Sequence, residues 1–218
     1  NPATNLDLPT PPVRLRIGTD QEIAALVAAA DAIEIGGVRL SAVGDAIMVG
    51  LFSGQRKRDV LAFIPGEGSN NRIELVQSKT GARVSIPMAP RLIERIAKGR
   101  TRRAKAKYPV TAANVVINEG TGLAYNDNTF ADHFQQVRAA AAKACPSVAD
   151  FTFPDLRDTA VTWYARAGCT VPEIASITGH TLGSIYSILK HYLALDGHLA
   201  DNAVAKLVDY MEREGMAV

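Results

Sequence analysis

Excess charge of either sign is missing from this chain: 24 lysines and arginines stand against 22 aspartates and glutamates, a formal net charge of +2 over 218 residues. Taken as a sum, that gives no hint of a polyanionic partner. Cysteine is nearly absent, with Cys145 and Cys169 the only two. They match neither a zinc nor a redox spacing and need not pair, which fits a reducing, cytoplasmic setting. No apolar stretch approaches the roughly 20 uncharged residues of a membrane-spanning helix; the longest candidate, Ala42–Phe52, is short and holds Asp45. There is no low-complexity bias, no internal repeat, no glycine-rich phosphate loop and no dinucleotide fingerprint. An apolar fraction of 47% excludes a disordered or collagen-like chain. The chain opens on Asn1 without a signal-peptide pattern.

The charges are present but unevenly placed. Between Arg91 and Lys107 lie Arg91, Arg95, Lys98, Arg100, Arg102, Arg103, Lys105 and Lys107, opposed by Glu94 alone. The remainder of the chain is therefore acidic, apart from a second cluster at Arg56-Lys57-Arg58. Such a run has two readings, a solvated helix face or a surface that binds phosphates.

Hydrophobic period and punctuation divide the chain into elements. The proline-rich segment Asn1–Arg16 reads as an extended linker, which places a single folded domain over residues 18–218 and an interdomain remnant over 1–17. A helix is expected from a cap at Thr19 or Asp20, with Ile23, Leu26, Val27, Ala30 and Ile33 at helical spacing. A second is expected over Leu40–Ser53, stopping at Gly54. Arg72–Gln77 and Arg83–Pro87 are strand-like, joined by Ser78-Lys79-Thr80-Gly81-Ala82 as a hairpin. Further helices are expected over Pro90–Lys107, Asn126–Ala144, Pro154–Ala167, Val171–Thr178, Leu182–Leu193 and Ala200–Glu214, with a brief strand at Val115–Asn118. The fold class is α+β, mostly α-helical with a small antiparallel β-sheet.

Four stretches read together carry the functional signal: Ser53-Gly54-Gln55-Arg56-Lys57-Arg58-Asp59; Gln77-Ser78-Lys79-Thr80-Gly81; Phe153-Pro154-Asp155-Leu156-Arg157-Asp158-Thr159-Ala160; and Thr178-Gly179-His180 followed by Lys190-His191-Tyr192. Alone, each has an ordinary explanation, such as a helix-end arginine, a surface ion pair, a solvated turn lysine or a core aromatic. In this order, with strands between the first two, they resemble the catalytic domain of the tyrosine recombinase (phage integrase) family from about Thr19 onward. The resemblance implies a site-specific recombinase or integrase of a phage or other mobile element, cleaving and rejoining DNA through a 3′-phosphotyrosyl intermediate. Arg56 and Arg157 would meet the charge on the phosphate, Lys79 would protonate the leaving 5′ oxygen, His180 would bond the phosphate or the nucleophile, and Tyr192 would attack. Tyr186 is the rival nucleophile; the Lys-His-Tyr-Leu context favours Tyr192.

These residue types suit the chemistry. Phosphoryl transfer builds charge on non-bridging oxygens, which fixed cationic donors can stabilise, and the planar fork of arginine matches phosphate geometry. A phenol forms a phosphoester and leaves again readily. Neither a metal ion nor another cofactor is implied. The expected partner is double-stranded DNA, tracked by Arg91, Arg95, Lys98, Arg100, Arg102 and Arg103. Assembly into a tetramer on DNA is implied as well, with the apolar stripe Val204, Leu207, Val208 and Met211 serving either a neighbouring protomer or the chain's own core.

Two departures from the family pattern stand out. The N-terminal domain that closes around the other face of DNA has no counterpart before Thr19. Pro154 occupies the position that usually holds His, preserving a helix start but removing an acid/base group. Two other readings follow: a DNA-binding relic of the same fold with impaired cleavage, or, less favoured, a type IB topoisomerase. Loss of one general acid/base typically costs roughly 10²–10⁴-fold in rate, so Pro154→His is expected to accelerate DNA cleavage. An unchanged or lower rate would mean that the site has been rebuilt around proline.

Overall fold

A computed structural model describes residue 14 and residues 16–65, 71–106, 108–193 and 197–216. For residues 191–193, 198 and 199 only the helical backbone is described. Nine α-helices and three two-stranded antiparallel sheets are present among these residues.

Helix α1 (Asp20–Ala32) starts where Thr19 and Glu22 form a reciprocal capping box. Burial pressing on Glu22 is outweighed by hydrogen bonds from Arg16 and from the Thr19 backbone, and its carboxyl is held at about 2. Because that lies below its unfolded value, the ionised form contributes stability above about pH 4.5 that is lost as the pH falls toward 2. Arg14 reaches Asp155 at 2.9 Å and Arg16 reaches Glu22 at 2.6 Å. The described end of the expected linker is therefore clamped onto the domain.

A hairpin of β1 (Glu34–Ile35) and β2 (Val38–Arg39) follows, turning on Gly36-Gly37, both at positive φ. It then feeds α2 (Ser41–Ser53). This helix is apolar on nearly every side, and only Met48 and Phe52 escape full burial. It is the central post of the domain, packing against α1, against α3 (Lys57–Ala62), and against the later α4 (Pro90–Ala104), α5 (Asp127–Ala141) and α6 (Asp155–Arg166). Beside it Phe130 and Phe134 stack on each other and Phe153 meets both edge-on.

Strands β3 (Arg72–Val76) and β4 (Arg83–Pro87) pair Ile73 with Ile86 and Leu75 with Val84. Ile73, Val84 and Ile86 are buried, so one face of this ribbon closes the core. The third ribbon pairs β5 (Ile117–Asn118) with β6 (Leu123–Ala124). A smaller cluster of Val161, Ala165, Ile174, Ile185 and Leu189 joins α6 to α7 (Val171–Thr178) and α8 (Leu182–Leu193). Helix α9 (Gly197–Arg213) is tied to the end of α6 by Asn202 donating to the Arg166 carbonyl at 2.7 Å. Val204, Leu207 and Val208 remain exposed at 61%, 56% and 46%.

The architecture is the α+β, mostly helical one expected, with three separate ribbons in place of one sheet. The β1–β2 hairpin, α3, β6 and the 3-10 turn at Pro146–Asp150 are additions. Each is six residues or shorter, too brief to show a hydrophobic period.

The basic helix α4 differs most from expectation. Arg95 bonds Asp31 at 2.6 Å and Asp45 at 2.5 Å, and Arg102 bonds the same Asp45 and Glu119. Arg103 donates to the carbonyls of Asn114 and Val115. These three guanidiniums bind the domain to itself, and Lys98 pairs with Glu94 one turn away. Arg91 and Arg100 are exposed. Removing one partner of a buried ion pair costs about 3–5 kcal/mol. Arg95→Ala, in which Asp45 keeps only Arg102, should therefore lower the urea midpoint sharply, whereas Arg100→Ala should leave it within experimental error. Equal midpoints for both would show that the inward pairs contribute nothing.

Candidate active site

Helix α2 ends on Gly54 at φ +61 and α7 ends on Gly179 at φ +65, a left-handed stop that disfavours any side chain. The two stops face each other: a Cβ on Gly54 would meet the Thr178 side chain, and one on Gly179 would meet the amide of Gln77. Directly after them come Arg56, at the start of α3, and His180. Between them, on the first turns of α6, lies Arg157.

Arg157 is buried, with 8% of its surface exposed. One terminal nitrogen of its guanidinium donates to the Gly54 carbonyl, and Nε donates to His180 Nε2 at 3.2 Å. The other terminal nitrogen, Nη2, is buried with no partner among the described residues, and so is Nη1 of Arg56. Burial, and then the like charge of Arg56, push the Arg157 guanidinium down to about 10. Two unpartnered cationic donors thus share a confined place, and an anion between them would satisfy both.

His180 is fixed on both sides. Accepting at Nε2 leaves the proton on Nδ1, which lies 3.0 Å from Thr178 Oγ1; that hydroxyl in turn donates to the Ile174 carbonyl at 2.7 Å. Burial, Arg157 and Arg56 together lower the imidazole to about 4, so it is neutral at pH 7.

Lys79 sits in the turn between β3 and β4 and is exposed. That turn is anchored beside the arginines, because the Ser78 amide donates to Asp59 Oδ1 at 2.9 Å. Asp59, the acid of the Gly-x-Arg-x-x-acid stretch, is buried, and its second oxygen has no partner. Tyr192 and His191 lie in the last turn of α8, and their side chains fall outside the described residues. Tyr186 on the same helix is 61% exposed. Tyr164, by contrast, donates its hydroxyl to the Phe52 carbonyl within the domain.

Pro154 is exposed at the start of α6 with helical φ −57 and ψ −30. The helix start is held by other means: the Thr152 amide donates to Asp155 Oδ2 at 2.7 Å, while Arg14 clamps the same carboxylate. Arg56, Arg157 and His180 are therefore brought together, the Lys79 turn is held beside them, and Arg95, Arg102 and Arg103 are directed into the domain. Buried residues with no signal in charge or period also build the site, chiefly Gln55, Gln77 and Thr178; only their places beside Arg56, Lys79 and His180 mark them. Among the described residues no group of three or more His, Cys, Asp or Glu could hold a metal ion, and no helix is long and apolar enough to cross a membrane.

No protein-family model and no curated protein sequence matches the chain. Solved structures do. The XerA recombinase aligns with a TM-score of 0.62 at 15% identity, over 84% of this chain and 66% of that one. The Tn1549 transposon integrase, in complex with transposon right end DNA, aligns with a TM-score of 0.65 at 16% identity, over 88% of this chain and 66% of its own. The lambda integrase catalytic core aligns at 0.57 and 17% identity, over 77% of this chain and 92% of that one. The fold is that of the tyrosine recombinase catalytic domain. The chain spans just under two thirds of the length of the first two and nearly all of the isolated catalytic core.

The imidazole of His180 is expected to titrate near 4 by NMR. Its folded value lies below the unfolded 6.5, so the charged form destabilises the fold as the pH falls from about 6.5 to 4. A midpoint near 6.5 would mean that the ring is neither buried nor beside the two arginines.

Proposed function

We propose that the chain is the catalytic part of a site-specific DNA recombinase that cleaves and rejoins strands through a 3′-phosphotyrosyl intermediate. The observation that carries this reading is the pair of buried, unpartnered guanidinium nitrogens of Arg56 and Arg157, framed by His180 and the Lys79 turn. The scissile phosphate sits between the two arginines, which stabilise the charge that grows on its non-bridging oxygens. The Tyr192 oxygen bonds to phosphorus as the bond to the 5′ oxygen breaks; the phenol gives up its proton to water, and the Lys79 ammonium supplies one to the departing oxygen and is left neutral. Neutral His180, its Nε2 lone pair held by Arg157, keeps that arginine oriented; when DNA arrives Nε2 exchanges this bond for one from the Tyr192 hydroxyl, and only a protonated ring could donate to the phosphate. Attack by a strand's 5′ hydroxyl reverses the steps, so the energy of the backbone bond is conserved.

The substrate is double-stranded DNA, in integration or excision of a mobile element, as the DNA in the Tn1549 integrase complex suggests. Arg91 and Arg100 follow phosphates outside the active site, and the exposed stripe on α9 suits a second copy in a tetramer on DNA. Exposed Pro154 supports a second reading, a protein that occupies DNA but cleaves it poorly, since no titratable group stands there.

The test is a pool of nicked duplexes with a randomised core. A covalent protein–DNA adduct resistant to detergent is expected, giving the site on sequencing, and Tyr192→Phe should abolish it. An adduct that survives in Tyr192→Phe would sink the assignment of the nucleophile. Salt-sensitive binding with no adduct from the wild type would favour the second reading.

A further inference from the structure

Gln55 and Gln77 are almost entirely buried, at 2% and 1% exposed, and their side-chain amides bond each other. Gln77 Nε2 donates to Gln55 Oε1 at 2.6 Å and to the Thr178 carbonyl at 2.7 Å. Gln55 Nε2 donates to the carbonyls of Ser53 at 3.1 Å and Ile177 at 2.8 Å. Gln77 Oε1 accepts from the Thr80 hydroxyl at 2.7 Å. Both hydrogens of each amide are used, and three of the acceptors are backbone carbonyls, so the orientation of both amides follows from the chemistry.

The network ties three chain segments at one point. Gln55 immediately precedes Arg56, Thr178 lies two residues before His180, and Gln77 and Thr80 flank Lys79. The two helix ends are also held by packing and by Arg157. The hairpin turn has fewer ties: beyond its own ladder, among the described residues only the Ser78 amide, donating to Asp59, and the Gln77 amide hydrogen-bond it to the arginine side of the site.

We propose that Gln77, seated on Gln55 and Thr178 and latched to Thr80, is a positioning residue that docks the Lys79 turn against the Arg56–His180 frame. Lys79 is thereby poised to deliver its proton. This rests on the recombinase reading for the role of Lys79, but not for the docking of the turn. A buried, fully satisfied pair of amides is expensive to disturb, because each unpartnered group costs its desolvation. Glutamate cannot substitute, since it lacks the two donors and adds charge.

The first arm of the test needs no DNA. Backbone amide hydrogen exchange at Ser78 and Gly81 should accelerate about tenfold or more in Gln77→Ala and in Thr80→Val, with α2 and α7 unaffected. Thr80 is exposed, so Thr80→Val keeps the fold even if Gln77→Ala does not. Unchanged exchange in Thr80→Val would overturn the docking role whether or not the protein is a recombinase.

The second arm uses a duplex recovered as an adduct from the randomised pool, with an oxygen or a sulfur at the scissile 5′ position. A thiol has a pKa of about 8.5 and departs as the thiolate without a proton donor, unlike an alcohol. On the oxygen duplex, Gln77→Ala should lose roughly 10²–10³-fold in kcat, the scale of a lost general acid, with KM little changed. On the sulfur duplex it should recover to within about fivefold of the wild type, as should Lys79→Ala. An equal loss on both duplexes would place the defect in the arginines or the fold and overturn the proposal. No loss on either would overturn it as well. A wild type that forms no adduct, with exchange at the turn accelerated as expected, would count against the recombinase reading alone.

Discussion

Two like charges held side by side in a partly buried notch constrain everything around them. Arg157 loses hydration and faces Arg56, and both effects lower its hold on its proton to about 10. Such a pair persists in a folded protein only if the rest of the structure fixes it, since in isolation it would separate or take a carboxylate between its members. Asp158 and then Asp59 contribute a favourable field at Arg157. Asp59 bonds the hairpin amide rather than either guanidinium. One buried nitrogen on each arginine is left without a partner among the described residues, and the proposed scissile phosphate would supply the acceptors. Preorganised charge of this kind costs stability in the free protein and returns it as binding and transition-state stabilisation.

The scaffold meets that cost with rigid, mostly apolar elements. Helix α2 is buried nearly all round and terminates on a glycine whose carbonyl is clasped by Arg157 itself. Helix α7 ends the same way, and the two glycines allow the chain ends to approach closely enough for Gln55, Gln77 and Thr178 to bond across the gap. His180 falls to about 4 because it shares the arginines' confined surroundings. Its role as a neutral acceptor is therefore set by its neighbours rather than by imidazole chemistry alone.

Helix α4 shows how misleading a charge count can be. Its basic run has the composition of a nucleic-acid surface, yet Arg95, Arg102 and Arg103 close around Asp45, Glu119 and two carbonyls. A single buried carboxylate in the apolar helix α2, Asp45, draws two of them in, because an unpaired charge there would be prohibitive. Among the described residues, what remains outside is Arg91, Arg100 and Lys105, with Lys98 partly neutralised by Glu94. The same inward pairing secures the helix that the exposed residues ride on.

Much of this protein was legible in its sequence. The helix cap at Thr19, the left-handed stop at Gly54 and the alternation in Arg72–Val76 and Arg83–Pro87 are local, and local sterics and hydrogen bonding determine them whatever the remainder of the chain does. The order of Arg56, Lys79, Arg157 and His180 along the chain was likewise enough to nominate them. The tertiary structure alone decided which arginines are free and which are bound inward, because that depends on acids 17 to 64 residues away. It also decided that two glutamines with no periodic signal join three distant segments into one site. A hydrogen bond between Gln55 and Gln77 spans 22 residues, and one between Gln77 and Thr178 spans 101; only the packed core brings such groups within reach of each other.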